Sequence, residues 1–230
     1  MLSVELHTHS ELSYDGRDPI ELLLEQAEAV DLDALAVTDH DEIDASLEAA
    51  AIAEEYGLIG IPGMEVSSAA GHVLALGVEE LVPAGLSYDE TLERIHEQGG
   101  IAIVPHPFQE SRHGVMARIS HEELATADAI EVYNSRLLTG RANRQAERFA
   151  RSHGLPMTAG SDAHISEMVG QALTRVETNT DNPDADAILS AIADGRTSVE
   201  GKRTPWHISF RQAAGGAKRR MTNGIAELFD

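Results

Sequence analysis

Short apolar stretches that each run straight into a histidine or a carboxylate constrain this chain more than any other feature. Val4-Glu5-Leu6 leads to His7 and His9, Ala34 to Val37 to Asp39 and His40, and Leu58 to Ile61 to Glu65. Ile101 to Val104 ends at His106, Ala129 to Tyr133 carries Glu131, and Pro156 to Ala159 ends at Asp162 and His164. Apolar runs of this length read as buried strands. Residues two apart on a strand point the same way, so His7 and His9 converge, and Asp162 and His164 repeat their spacing.

Helical patterns lie between these strands. Asp18-Pro19-Ile20-Glu21 predicts a helix start with a capping Asp, Pro at the first helical position and Glu closing a capping box. A second helix is expected from about Ile43 to Tyr56, stopped by Gly57, and a third from the capping box Ser87 to Glu90. Further helices are expected after Ser120, over roughly Thr139 to Ser152, and from a cap at Asn182 to Gly195. Gly63 to Val66 and His72 to Val78 read as a hairpin turning at Ala69-Ala70-Gly71, which returns His72 to the end of the sheet that holds Glu65.

Strands alternating with helices indicate a mainly parallel sheet. Seven strand segments predict an α/β fold, a barrel short of eight strands, with one strand reversed. An open doubly wound sheet is the competing architecture. Polar residues at the ends of six strands favour the barrel, whose catalytic face collects them, over the single switch point of an open sheet. One domain over residues 1–200 is expected, with 201–230 an extension in which Trp206 and His207 cover one end of the barrel.

The 230 residues include no Cys, so any metal must be held by His and carboxylates, a donor set suited to Mn, Fe or Zn. The candidate ligands are His7, His9, Asp15, His40, Glu65, His72, His106, Glu131, Asp162 and His164, and they include six of the eleven histidines. A core does not bury so many polar groups without something to pair them. Asp39, next to His40, is expected to point the other way and to orient His40 or another ligand from behind. His96, His121 and His153 fall on helices and read as solvated or structural. Arg17, Arg112, Arg118 and Arg136 follow ligand-bearing strands and are candidates for binding substrate phosphate, Arg136 foremost.

The net charge of −22 points away from extended nucleic-acid binding and fits an acidic protein adapted to high salt. Lys occurs only at 202 and 218. No apolar run reaches membrane-spanning length and no cleavable signal opens the chain, so a soluble, cytoplasmic protein with no membrane partner is expected. No G-x-S-x-G elbow, P-loop or dinucleotide fingerprint offers other chemistry.

Taken together, His7-Thr8-His9, Ser13-Tyr14-Asp15-Gly16, Thr38-Asp39-His40, Gly63-Met64-Glu65, His72, Pro105-His106-Pro107 and Gly160-Ser161-Asp162-Ala163-His164 resemble the PHP family, named for polymerase and histidinol phosphatase. The likeness covers residues 1 to about 175. It implies a distorted (βα)7 barrel resembling a TIM barrel, with two or three divalent ions, Mn, Fe or Zn. By this resemblance His7, His9, Glu65 and Asp162 hold the first ion, Glu65, His72 and His106 the second, and Asp15, His40 and His164 the third. Asp15 stands where some relatives place His. Glu131 is either a further ligand or a partner behind the ligands. The implied activity is hydrolysis of a small phosphorylated metabolite or nucleotide, such as a nucleoside 3′,5′-bisphosphate or short oligonucleotide, by a metal-bridging hydroxide, with His164 or Asp162 passing a proton to the leaving oxygen. A non-catalytic PHP interaction module, a histidinol-phosphatase-like enzyme and a metal-dependent amidohydrolase are the alternatives. The last typically uses a bridging carboxylated Lys, and none lies in residues 1–201.

Overall fold

The computed structural model describes residues 1–136, 140–205 and Ile208. It has two five-stranded sheets. The first has the order β10-β9-β1-β2-β3, with β1 Leu2–Glu5, β2 Ala34–Ala36, β3 Ile59–Ile61, β9 Ala172–Val176 and β10 Thr197–Gly201. The second runs β4 Gly63–Ser67, β5 His72–Leu76, β6 Ile101–Val104, β7 Ala129–Asn134 and β8 Met157–Gly160.

The closed barrel expected from the alternation is not formed among these residues. Two local features account for it. Pro62 separates β3 from β4; a residue without an N–H cannot continue a ladder, and the chain changes sheets there. After β8 the chain returns as β9, which pairs antiparallel with β1. With β2 on its other side, β1 has no edge left for β8. The strands β9 and β10 were not foreseen, because Ala172–Val176 and Thr197–Gly201 carry too little apolar alternation to stand out. Among the described residues, the isolated bridges Thr8–Ala163 and His40–Glu65 help to join the two sheets, and both lie beside candidate ligands.

The expected hairpin forms, with Ser67 opposite His72 and Glu65 opposite Leu74. It makes β5 the reversed strand of the second sheet. The inner faces of the two sheets share one apolar cluster containing Val4, Leu6, Ile61, Leu74 and Ile103. Helix α6, Ala185–Ala193, closes its far end with Ile188, Leu189 and Ile192.

Caps decide where the helices begin. Ser87 and Ser120 each form a complete capping box, at α3 Tyr88–Glu97 and α4 His121–Leu124. Helix α1, Ile20–Ala29, starts without a side-chain cap: Asp18 instead accepts from the Ser166 N–H at 2.6 Å, so the expected capping box there is replaced by a tie to another loop. At α6 the cap is Asp184, which accepts from Ala187 N–H at 2.9 Å, and not Asn182. Helix α2, Asp44–Ile52, tightens into a 3-10 turn over Ala53–Tyr56 before Gly57 ends it in the left-handed region. Helix α5 covers Arg141–His153, and the expected start at Thr139 lies outside the described residues.

Strand β10 carries the sheet to Gly201, and Thr204 then bonds back to Ser135 at 2.7 Å. Trp206 and His207 lie outside the described residues. No helix among the described residues is long and apolar enough to cross a membrane.

Candidate metal centre

Every candidate site residue except Arg17 and Arg118 gathers at one end of the two sheets, around or directly behind a cavity of about 400 Å³. The cause is local. His7 and His9 follow β1, Asp39 and His40 follow β2, and Glu65 sits within β4. His72 opens β5, His106 follows β6, Glu131 lies in β7, and Asp162 and His164 follow β8. His106, between two prolines, and Asp162 both take the left-handed region, with φ of 34° and 53°. Non-glycine residues there cost about 1–3 kcal/mol each and collect at functional sites.

Glu65 is the centre. Its carboxylate oxygens lie 3.2 Å from His7 Nε2, 3.2 Å from His9 Nε2, 3.5 Å from His40 Nδ1, 2.7 Å from His72 Nδ1 and 3.5 Å from His106 Nε2. Most of these approaches are close without hydrogen-bond alignment. Both ring nitrogens of His9, Nδ1 of His40, His72 and His106, and Oε1 of Glu65 are buried without a hydrogen-bond partner. Buried polar atoms are rarely left unpaired. Lone pairs aimed at one another across such distances are satisfied by cations placed between them, and this all-nitrogen and oxygen set fits divalent ions. Four triads bring their ligating atoms within 4.8 Å of one another: His7, His9 and Glu65; His7, His106 and Asp162; His40, Glu65 and His72; and His9, His40 and His164.

The remaining partners hold these groups in place. Glu131 Oε2 accepts from His7 Nδ1 at 2.8 Å, and its Oε1 accepts from His106 N–H and from Asn134 Nδ2. Both oxygens are therefore engaged, and Glu131 belongs to none of the four triads. With Nδ1 turned to Glu131, Nε2 is the His7 nitrogen that faces Glu65, at 3.2 Å. Asp15 Oδ2 accepts from His164 Nε2 at 2.6 Å and lies 3.7 Å from His40 Nε2. Asp39 accepts from Ser10 N–H at 2.6 Å and from the Ser10 hydroxyl, and so anchors the chain just after His9. Gly160 admits no side chain, since a Cβ would lie 2.6 Å from His7 Cβ and 2.7 Å from Glu131 Oε2.

The carboxylates and imidazoles polarise one another. Burial opposes ionisation of Asp162, but Arg136, His7 and Arg112 hold it well below the usual carboxylate range. Burial likewise opposes Glu65, and His72, His40 and His7 outweigh it. His7 is raised against its own burial by Glu65, Glu131 and Asp162. His9, with no free carboxylate to itself, is pushed down to about 3 by burial and by His164.

Of the four arginines, Arg112 donates to Asp162 Oδ2 at 3.0 Å and Arg136 to Asp162 Oδ1 at 2.6 Å, and both line the cavity. Arg118 turns away to the Ala70 carbonyl, and neither Arg118 nor Arg17 lines the cavity. The helical histidines stand apart: His96 pairs with Asp128, while His121 and His153 pack on Phe149.

Three further residues join the site. Asn134 bridges Glu131 and Asp162. His113 stacks on His72. Glu5, fully buried, accepts from the N–H groups of His7, Ser161 and Gly170 and thereby ties both ligand loops to the base of the site. A carboxylate two residues before His7 in a buried strand was the available signal. Burial raises the Glu5 carboxyl from 4.5 to about 7. A raised folded-state value means that the folded protein binds the extra proton, so this contribution is complete below about pH 4.5 and is lost as the pH rises to about 7. At about 1.4 kcal/mol per unit, the loss is about 3 kcal/mol. Denaturant melts of the wild type and Glu5→Gln across pH 4.5–8 are expected to show the wild type losing ground to the variant over that window. A pH-independent difference between the two would contradict it.

Several known proteins resemble this chain. A family profile described as PHP-associated matches residues 140–197. An uncharacterized protein of Methanocaldococcus jannaschii is 31% identical over 188 residues, covering 80% of this chain and 74% of its own. A phosphoribosyl 1,2-cyclic phosphate 1,2-diphosphodiesterase of Eggerthella lenta is 39% identical over 40% of this chain and 37% of its own length. A 3′,5′-nucleoside bisphosphate phosphatase of Chromobacterium violaceum is 35% identical over 43% and 38%. Among solved structures, a two-domain protein of Bacteroides vulgatus containing a predicted PHP-like metal-dependent phosphoesterase superposes with a TM-score of 0.73 at 21% identity, over 87% of this chain and 64% of that one. An endonuclease Q bound to duplex DNA superposes at 0.65 and 17% identity, over 88% and 60%. The chain belongs to the PHP family.

Proposed function

We propose that this protein is a metal-dependent phosphoesterase acting on a small phosphorylated metabolite or nucleotide. The observation that carries the proposal is the set of unpartnered imidazole and carboxylate atoms around Glu65, with two arginines in the same cavity. The phosphatase and phosphodiesterase relatives support a hydrolase of phosphoester bonds. The charge of −22 supports a small substrate over an extended nucleic acid.

In this reading His7, His9, Glu65, His72, His106, Asp162, His40 and His164 hold the metal ions, with Asp15 completing the His40 and His164 group. When bound, divalent ions supply Lewis-acid stabilisation of phosphoryl charge and acidify water. The chain's own residues do the rest. Glu131 fixes the His7 tautomer and ring angle, which makes it a positioning residue and not a ligand. Arg112 and Arg136 present N–H forks to phosphate oxygens. Asp162 is held as the anion by Arg136, His7 and Arg112, which fits a role in holding cations and disfavours it as the donor of a proton to the leaving oxygen.

Hydrolysis of an aryl phosphate with added Mn tests the reading. Turnover is expected to disappear in His7→Ala and Asp162→Ala and to persist in His153→Ala, whose ring packs on Phe149 away from the cavity. A metal-loaded protein that cleaves no phosphoester would remove the proposal.

A further inference from the structure

The loop after His9 has a feature that metal binding does not use. Leu12 and Tyr14 are 58% and 65% exposed, yet the loop bearing them is held at every turn. Leu12 N–H donates to Ser10 Oγ at 3.1 Å, Ser13 N–H to the Ser10 carbonyl at 3.2 Å and Glu11 N–H to the Asp18 carbonyl at 2.9 Å. Ser13 Oγ donates to Asp15 Oδ1 at 3.0 Å. Gly16 closes the loop so tightly that a Cβ there would lie 2.0 Å from the Ser10 carbonyl oxygen. A rigid aromatic surface at the mouth of a polar cavity is preorganised for a ligand.

Tyr14 lines the same cavity as Arg112 and Arg136. One face of its ring stacks on His40, with centroids 4.7 Å apart and planes 21° apart, so its exposure is on the opposite face. A substrate whose phosphate meets the arginines therefore extends its remaining part towards an open aromatic face. We propose that Tyr14 is a stacking platform for a planar ring on the leaving-group side of the substrate, which makes nucleobase-bearing phosphates the preferred class. This rests on the phosphoesterase reading above and narrows its substrate. Free nucleotides and the end of a short single strand present the same ring.

Stacking of a base on an aromatic side chain changes affinity about five- to hundredfold. Calorimetric binding and steady-state turnover of adenosine 5′-monophosphate and ribose 5-phosphate by the Mn-loaded protein test the idea, with Tyr14→Phe and Tyr14→Leu as variants. The wild type is expected to favour the nucleotide at least about tenfold, mainly through KM. Tyr14→Phe is expected to keep that preference. Tyr14→Leu, which still covers His40 but offers no ring, is expected to lose it without changing ribose 5-phosphate turnover. A wild type without preference overturns the platform and leaves the phosphoesterase standing, as does a Tyr14→Leu variant that loses both substrates equally, since that marks a purely structural role. Tyr14-dependent binding of the nucleotide by a protein that hydrolyses neither compound supports the platform and removes the phosphoesterase reading. Neither binding nor hydrolysis removes both. A 5′-phosphorylated trinucleotide assigns the ring's source: a Tyr14-dependent KM below that of the mononucleotide indicates a strand end, and one above it a free nucleotide.

Discussion

Glu65→Gln is expected to abolish phosphoester turnover and to lower the protein's metal content. The two side chains have the same shape, so the steric fit within β4 is preserved while one negative charge is lost. That charge faces nitrogen atoms of five histidines at 2.7–3.5 Å, and the amide group brings an N–H donor into their midst. Substituting a residue that merely orients a metal ligand costs about 10- to 100-fold in affinity or activity. Removing the carboxylate at the centre of the cluster is expected to exceed the upper figure. The same substitution leaves the imidazoles without their counter-charge. Breaking a buried ionic group by removing one partner costs about 3–5 kcal/mol, so a lowered denaturation midpoint is expected alongside the lost activity. Elemental analysis and aryl phosphate assays of the two proteins give the answer, and full metal content with an unchanged rate in Glu65→Gln would show that Glu65 is not central.

Stripping divalent ions with a chelator is expected to lower the thermal midpoint by about 8–16 °C. A ligand that binds only the folded state at a thousand times its Kd stabilises it by about 4 kcal/mol, and a chain of this length shifts about 2–4 °C per kcal/mol. The large effect comes from the site's construction. His7 and His9 are completely buried, and six polar atoms around Glu65 lack partners. Without cations, protons must stand in for them, and they do so unevenly: His7 is held above its ordinary value while His9 is pushed down to about 3. A paired calorimetric scan with and without chelator measures the difference. Coincident melting curves would mean that the cluster is satisfied without metal.

Both expectations concern residues that were legible before the fold was known, and the reason is periodicity. A strand that ends in His-x-His or Asp-x-His puts both side chains on one side whatever sheet it joins, so His7 with His9 and Asp162 with His164 could be paired from spacing alone. The Glu65 and His72 pair was legible through hairpin register. Caps were read well where Ser and Glu stood three apart, at Ser87 and Ser120. They were misread where a distant backbone N–H competed for the side chain, as Ser166 does for Asp18. For Asp39, alternation shows that it points away from His40, but not that Ser10 is waiting on that side.

The sequence by itself determined the donor set, the strand ends that carry it and the chemistry open to a chain without cysteine. Those follow from residue type and from periods of two and 3.6, which are local properties of the backbone. Only the tertiary structure decided that two sheets replace a closed barrel, because the antiparallel return of β9 takes the edge of β1 that closure would need. It also left Glu131, with both oxygens already engaged, outside the four candidate triads, and brought Arg112 and Arg136 but not Arg17 or Arg118 to the cavity. Those outcomes depend on which hydrogen-bond partners and strand edges meet in space across more than a hundred residues of chain, and no local pattern encodes such a meeting.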